Sequence, residues 1–298
     1  MTLPLERFGI SAADELGRGG EAAIYALDDD RVLRLYHEGA MDDVARRNDL
    51  LLRIRAENAA FRYELPEPLD AGVIDDHVFS IERRLSGVSL IEALGKVSLD
   101  RRRSLIESYM DAAWDFGTLT LRDGPAFGDL CRDDAITASS GRRYLQRRVA
   151  ASVAGSDHST LDTNNLVDQL GEIATNDADV GLVHLDYFAG NVMVTGDRVT
   201  AIIDLGYSTV RAHRALTALA AAAYLVPRIS PPALDADRTV AIDWLRSRGL
   251  ANLVDPVTRW LAAFWLFVRD DPAVAAWCAE VLDQDPDDFG SVCTEPHS

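Results

Sequence analysis

The chain opens with short apolar runs of strand type. AAIYALD at 22–28 and RVLRLYH at 31–37 read as two strands joined by a two-residue Asp-Asp turn, which is a hairpin pattern. LGRGG at 16–20 precedes them, with Gly17, Gly19 and Gly20 where the backbone must turn tightly. The period then lengthens: Val44, Leu51 and Ile54 fall on one stripe of a helix expected over about 40–57. Two further strands are expected near 70–75 and 77–82, ending at ERRLSG. Together these predict a small antiparallel sheet with one helix packed on it.

Past residue 88 the helical period dominates. Ser98 is a good N-cap for a helix carrying Leu105, Tyr109, Ala112, Phe116 and Leu119 at helical spacing. Further helices are expected near 134–152, 160–175, 210–226, 235–249 and 257–282. Short strands are expected around 181–184, 191–195 and 199–203, the last two joined by the turn TGD at 195–197. The change of pattern divides the chain into residues 1–88 and 89–298, with a loose tail from about 284.

Composition narrows the function classes. At 298 residues and 48% apolar content the chain can bury a sizeable core. Its 30 basic against 48 acidic residues give a formal charge of -18, which repels nucleic acid and anionic membrane and favours cationic ligands or plain solubility. Cys131, Cys278 and Cys293 are odd in number and widely spaced, neither a zinc pattern nor a disulfide framework, as expected in a reducing cytoplasm. The N-terminal MTLPLERFG carries no apolar signal core, and the longest apolar run, ALTALAAAAYLV, is too short to span a bilayer.

The chemistry concentrates in VHLDYFAGNVMV at 183–194 and IIDLG at 202–206. Asp186 and Asn191 lie on a loop before a hairpin and Asp204 just after it, where scaffold-held loops carry function. Asn191 and Asp204 offer hard oxygens suited to Mg²⁺, which takes few protein ligands and fills its shell with water and phosphate oxygens. Asp186 is then free to accept a proton from an attacking hydroxyl. The Gly17–Gly19–Gly20 turn could cradle phosphates. Arg34, charged within an apolar strand, is either an outward-facing residue or a cation for the α/β-phosphates.

A glycine-rich hairpin, a cation on the next strand, HxDxxxxN and then DxG follow the order of the protein-kinase-like fold. More narrowly, VHLDYFAGNVMV with AIIDLG and RRLSGVSL resembles the aminoglycoside phosphotransferase family, over about residues 12–270. The resemblance implies an α+β, bilobal protein-kinase-like fold with a small β-rich N-lobe that binds nucleotide and a larger, mostly helical C-lobe. It implies Asp186 as catalytic base, Asn191 and Asp204 as Mg²⁺ ligands, and His184 as a buried prop of the catalytic loop. Nucleotide would be met by Gly17, Gly19, Gly20, Ile24 and Arg34, and at the hinge by Arg83 and Leu85 within the 82–85 segment. The cofactors implied are ATP, with GTP an open alternative, and Mg²⁺.

Two departures from the family stand out. Kinases of this fold pair the strand cation with a Glu on the following helix, yet DDVARRNDLLLRI leaves only Asp43, Asp49 or no partner. After DxG, relatives carry an acid and a Gly-Asp-Pro stretch, where this chain has YSTVRAHRAL. For the acceptor the resemblance points to the C-lobe, with Tyr187, Phe188, Tyr207 and the 259–271 helix as candidates. Trp260, Phe264 and Trp265 read as core there, and Asp270 and Asp271 as acids that could meet an ammonium. Asp283, Asp285, Asp287 and Asp288 form an acidic stretch before the tail.

The expected function is an O-phosphotransferase acting on a small molecule, either an aminoglycoside-like antibiotic or a metabolite such as an amino alcohol or sugar. A cationic acceptor would suit the acidic chain, and neither nucleic acid nor membrane is an expected partner. The competing reading is a nucleotide-binding pseudokinase or regulatory module. A protein kinase is disfavoured because no APE-like segment or long activation loop follows Asp204; adenylyl transfer stays open.

Overall fold

Five antiparallel strands and one helix build the first lobe in the computed structural model, which describes residues 4–268 and 271–284. The strands are β1 (Glu15–Arg18), β2 (Ala22–Ala26), β3 (Arg31–Tyr36), β4 (Pro68–Ile74) and β5 (His77–Arg83), in sheet order β1-β2-β3-β5-β4. The β2–β3 hairpin closes through a longer turn than the expected Asp-Asp pair, since Ala26 already faces Val32 and the amide of Leu27 donates to the Arg31 carbonyl. The two-residue turn lies instead between β4 and β5. There Asp75 and Asp76 both take positive φ (45° and 65°), the conformation that matches strand twist in a tight hairpin.

Helix α1 (Met41–Glu57) follows β3, and its buried face is Val44, Arg47, Leu50, Leu51 and Ile54. Its first turn lies with the sheet, where Ala22, Tyr36, Val44 and Val78 form a small cluster. Leu50, Leu51 and Ile54 belong to the large core of the second lobe. The end of the helix is tied there by polar contacts too: Arg53 Nη2 donates to the Asp123 carbonyl (2.7 Å), and Asn58 exchanges hydrogen bonds with Thr120 (2.9 and 3.1 Å).

The chain then leaves the sheet through β6 (Val88–Ser89), α2 (Leu90–Leu94) and α3 (Leu99–Phe116). The second lobe continues with β7 (Phe127–Asp129), β8 (Thr137–Ala138), α4 (Gly141–Val153), α5 (Thr163–Asp168), α6 (Glu172–Thr175) and β9 (Val180–His184). It ends with β10 (Val192–Thr195), β11 (Arg198–Ile202), β12 (Thr209–His213), α7 (Leu216–Tyr224), α8 (Asp235–Arg246), α9 (Val254–Phe264) and α10 (Pro272–Asp283). Two small sheets, β11-β10-β6 and β8-β7-β12-β9, are set among these helices. A buried pair, Arg102 Nε to Asp237 Oδ1 at 2.9 Å, locks α3 to α8.

Four expected helices differ from the observed ones; the 134–152 segment holds strand β8 and becomes helical only at Gly141. The 160–175 segment splits into α5 and α6 at Gly171, whose φ of 54° no helix can hold. Within the 257–282 segment, α9 ends at Phe264 and passes into a 3-10 turn over Trp265–Phe267, and a separate helix starts with Asp271 capping and Pro272 in its first turn. The start of the expected 210–226 helix is strand β12, which pairs with both β7 and β9, so sheet pairing overrides the helical spacing. Trp260 and Phe264 are buried and stacked on each other in the core. No helix among the described residues is long and apolar enough to cross a membrane.

Candidate active site

The loop from His184 to Asn191 leaves β9 and is pinned from beneath by two helices. The hydroxyls of Tyr109 on α3 and Tyr224 on α7 donate to the carbonyls of Tyr187 and Leu185, both at 2.7 Å. The His184 amide donates to Thr217 Oγ1 (3.0 Å) and the Leu185 amide to the Ser208 carbonyl (2.9 Å). Each such bond contributes about 1 kcal/mol, but together they leave the loop one conformation. The ring of Phe188 folds over Gly190, and a Cβ there would force the ring to shift.

His184 joins this loop to the segment that carries Asp204. Its Nε2 lies 3.1 Å from the Ile203 carbonyl and its Nδ1 3.3 Å from both the Asp186 amide and Ser208 Oγ. Nε2 therefore donates and Nδ1 accepts. Burial lowers its pKa to about 4, so the ring is neutral at physiological pH.

Asp186 and Asn191 meet directly. Asn191 Nδ2 donates to the Asp186 carbonyl (2.9 Å) and to Asp186 Oδ2 (3.0 Å), which leaves Asn191 Oδ1 as the amide's free acceptor. Burial first, then the nearby charge of Asp204, pushes the Asp186 carboxyl well above its ordinary pKa; the Asn191 bond opposes this. Asp204 itself takes positive φ (61°), an uncommon conformation that turns its side chain back toward the first lobe.

Across the cleft, Arg34 Nη2 donates to Asp204 Oδ1 at 2.7 Å and lies 3.7 Å from Glu21 Oε2. Its Nε is buried with no hydrogen-bond partner. Burial would raise Asp204, but Arg34 and then Arg47 hold it below the usual carboxylate range. The strand cation thus pairs with the DxG carboxylate and a turn acid, and with neither Asp43 nor Asp49. Asp43 instead binds Arg46 and accepts from the Ala40 amide.

What α1 does supply is a cation. Arg47 Nη1 donates to Glu82 Oε1 (2.7 Å), Ser80 Oγ donates to the same oxygen (3.0 Å), and both charged side chains are over nine-tenths buried. Arg47 also packs its Cδ against Gly206 of the DxG segment. The helix–sheet ion pair of this cleft is therefore present with its charges exchanged: the acid stands on β5 and the base on α1. Sequence reasoning missed it, although a charge inside the apolar stripe of α1 and another inside HVFSIER were its visible signals.

The remaining expected residues separate. Gly17 lies within strand β1, paired with Ile24, and only Gly19 and Gly20 form the exposed turn; none has positive φ, and a Cβ at Gly17 or Gly20 would meet nothing within 4 Å, so the backbone there is open. Ile24 is half-buried and paired opposite Arg34. Arg83 is turned outward onto Glu67 (2.6 Å), and Leu85 is half-buried at the crossover. Tyr187 is not available to an acceptor: it is fully buried, stacked on Tyr109, with its hydroxyl on the Tyr109 carbonyl (3.1 Å). Tyr207 is exposed beside Arg132, and Asp270 lies outside the described residues.

For a divalent cation, no three His, Cys, Asp or Glu side chains among the described residues group as a self-sufficient site. Asn191 Oδ1 and the Asp204 carboxylate give two hard oxygens, which fits Mg²⁺ completed by phosphate and water and does not fit a metal that takes thiolate or imidazole ligands, such as Zn²⁺.

Comparison with known proteins bears on the fold and the family. Residues 13–211 match the family model described as the phosphotransferase enzyme family. No protein of curated function matches the sequence significantly. The fold is similar to the GDP complex of wild-type aminoglycoside 2'-phosphotransferase-IIIa, with a TM-score of 0.60 and 13% identity over 91% of this chain and 90% of that one. It is also similar to the streptomycin–ATP ternary complex of APH(2")-IIa, with a TM-score of 0.54 and 13% identity over 96% and 98%. A third similar structure is APH(3'')-Id from Streptomyces rimosus with ADP and streptomycin, with a TM-score of 0.51 and 16% identity over 85% and 96%. These likenesses establish the fold, a bilobal protein-kinase-like one, and the family match spans well over half of the sequence. The chain belongs to the phosphotransferase enzyme family of small-molecule kinases.

Proposed function

We propose that the protein transfers the γ-phosphoryl group of ATP to a hydroxyl of a small molecule, with residues 1–88 holding the nucleotide and 89–298 the acceptor. The observation that carries this reading is the convergence of Asp186, Asn191, Asp204 and Arg34 in one cleft between the lobes. Asp186 accepts the acceptor's proton at the carboxylate oxygen not engaged by Asn191. Arg34 moves from Asp204 to the phosphates, which satisfies its orphaned Nε as well. The open backbone at Gly17–Gly20 covers the phosphates, and the 82–85 segment meets the base. Asn191 and Asp204 would hold Mg²⁺, which when bound supplies positive charge against the phosphate oxygens and draws the Asp186 carboxyl back toward its ordinary range.

The acceptor is an aminoglycoside-like antibiotic or a metabolite alcohol. ATP, ADP and GDP complexes of the similar enzymes support nucleotide use, and their streptomycin complexes support a polar, amine-bearing acceptor. The test is mass-spectrometric detection of phosphorylated products across aminoglycosides, amino alcohols and sugars, with ATP and GTP compared as donors. Asp186→Asn is expected to lower kcat by about 10²–10⁴-fold while nucleotide affinity is kept. Undiminished turnover in that variant would remove Asp186 from its role.

A further inference from the structure

Glu21 follows the Gly19–Gly20 turn directly and carries its carboxylate back toward the strand cation. Its Oε2 lies 3.7 Å from Arg34 Nη2, the same nitrogen that donates to Asp204 Oδ1 at 2.7 Å. The backbone around it is braced. The His37 amide donates to the Glu21 carbonyl (2.9 Å), His37 Nε2 donates to the Gly19 carbonyl (3.1 Å), and the Gly19 amide donates to the Ala22 carbonyl (2.9 Å). The turn whose open backbone suits phosphates thus also holds an acid beside the cation those phosphates need.

Arg34 has little to spare. The Tyr36 ring lies 5.6 Å from its guanidinium carbon, and Asp204 and Glu21 are the carboxylates within 4 Å of it among the described residues. Arg47, the neighbouring arginine of the cleft, is spent on Glu82. A phosphate oxygen that takes Arg34 Nη2 must therefore displace two carboxylates. They differ in grip: Asp204 is hydrogen-bonded and the less exposed, while Glu21 is half-exposed and beyond hydrogen-bond distance, where water screens it. They differ in alternatives too. Asp204 would turn to Mg²⁺ when nucleotide binds, whereas Glu21 has no second cation among the described residues.

We propose that Glu21 is a built-in competitor of the nucleotide, which takes hold of Arg34 when the phosphates leave and is displaced when they return. Nucleotide affinity is thereby kept low enough for the spent diphosphate to depart. Glu21 acts through Arg34, so it is a positioning residue. The inference rests on the phosphotransferase reading for the place of the phosphates, and its binding half can be tested apart from transfer.

Calorimetric titration of the full chain with ADP and with adenosine, both in Mg²⁺, compares wild type, Glu21→Gln, Arg34→Gln and the Glu21→Gln/Arg34→Gln double variant. Thermal unfolding establishes that each is folded. Glu21→Gln should bind ADP about three- to fivefold more tightly, the upper range for an exposed charge pair. Adenosine has no phosphate to reach Arg34 and should bind as it does to wild type. In the Arg34→Gln background the same Glu21→Gln step should change ADP affinity by less than about twofold. ADP affinity unchanged or weakened in Glu21→Gln, an equal gain for adenosine, or a full gain that persists without Arg34 would each overturn the proposal. If Arg34→Gln does not fold, the contrast between ADP and adenosine decides alone. A phosphate-dependent gain with no phosphorylated product from any alcohol would sustain the competitor and defeat the transferase reading. Product formation with ADP affinity unmoved by Glu21→Gln would do the reverse.

Discussion

Arg47→Ala is the sharpest probe of the exchanged ion pair. It leaves the Glu82 carboxylate, 6% exposed, with one neutral donor, Ser80 Oγ at 3.0 Å, and the more distant charge of Arg34. Removing one partner of a buried pair costs about 3–5 kcal/mol, because the other charge stays buried and uncompensated. Arg34 offsets part of this, so about 3 kcal/mol is expected, or roughly 5 °C in Tm for a chain of this size. The assay is calorimetric unfolding of Arg47→Ala and of the cycle Arg47→Met, Glu82→Met and the Arg47→Met/Glu82→Met double variant. Replacing both partners by apolar groups of similar volume removes the uncompensated charge, so the double variant should recover to within about 1 kcal/mol of wild type. The coupling between the two positions should then reach about 2 kcal/mol or more. Single variants that cost under about 0.5 kcal/mol, or that simply add in the double, would refute the reasoning.

Two further outcomes follow from burial. Tyr187→Phe removes a buried hydroxyl from the Tyr109 carbonyl and should cost about 1–2 kcal/mol in thermal unfolding, with acceptor KM unchanged; a large KM effect at full stability would return Tyr187 to the acceptor site. Burial pushes the Cys131 thiol up to about 11 and the Cys278 thiol up to about 12, so little thiolate exists at pH 8. Site-resolved mass spectrometry after alkylation of the native protein at that pH should find both unmodified, and labelling rising steeply toward pH 11 at Cys131; rapid labelling at neutral pH would contradict this.

The catalytic constellation was legible because it is local. His184, Asp186, Asn191 and Asp204 lie within one loop and hairpin, so spacing alone places them together. The partner of Arg34 was not legible, since it depends on Asp204 folding back from 170 residues away in sequence. Arg47 looked like one more polar residue between Val44 and Leu51, yet the same spacing puts it on the buried stripe, where a charge demands a partner. Strand β12 was hidden because TVRAHRAL carries helical spacing, and only its two neighbours in the sheet decide otherwise. Tyr187 was misread for the opposite reason: its position beside Asp186 suggested access, while the loop turns it into the core.

The way α1 is anchored bears on regulation. Related folds can be silenced by swinging the corresponding helix outward. Here such a swing would drag Leu50, Leu51 and Ile54 out of the second lobe and into water, at about 1.5–3 kcal/mol each. A displaced state costing about 4.5–9 kcal/mol would be populated at about one molecule in two thousand or fewer. The helix is held from both sides, by the Val44 cluster and the Arg47–Glu82 pair toward the sheet and by its apolar stripe toward the second lobe, so it couples the two lobes as a fixed strut.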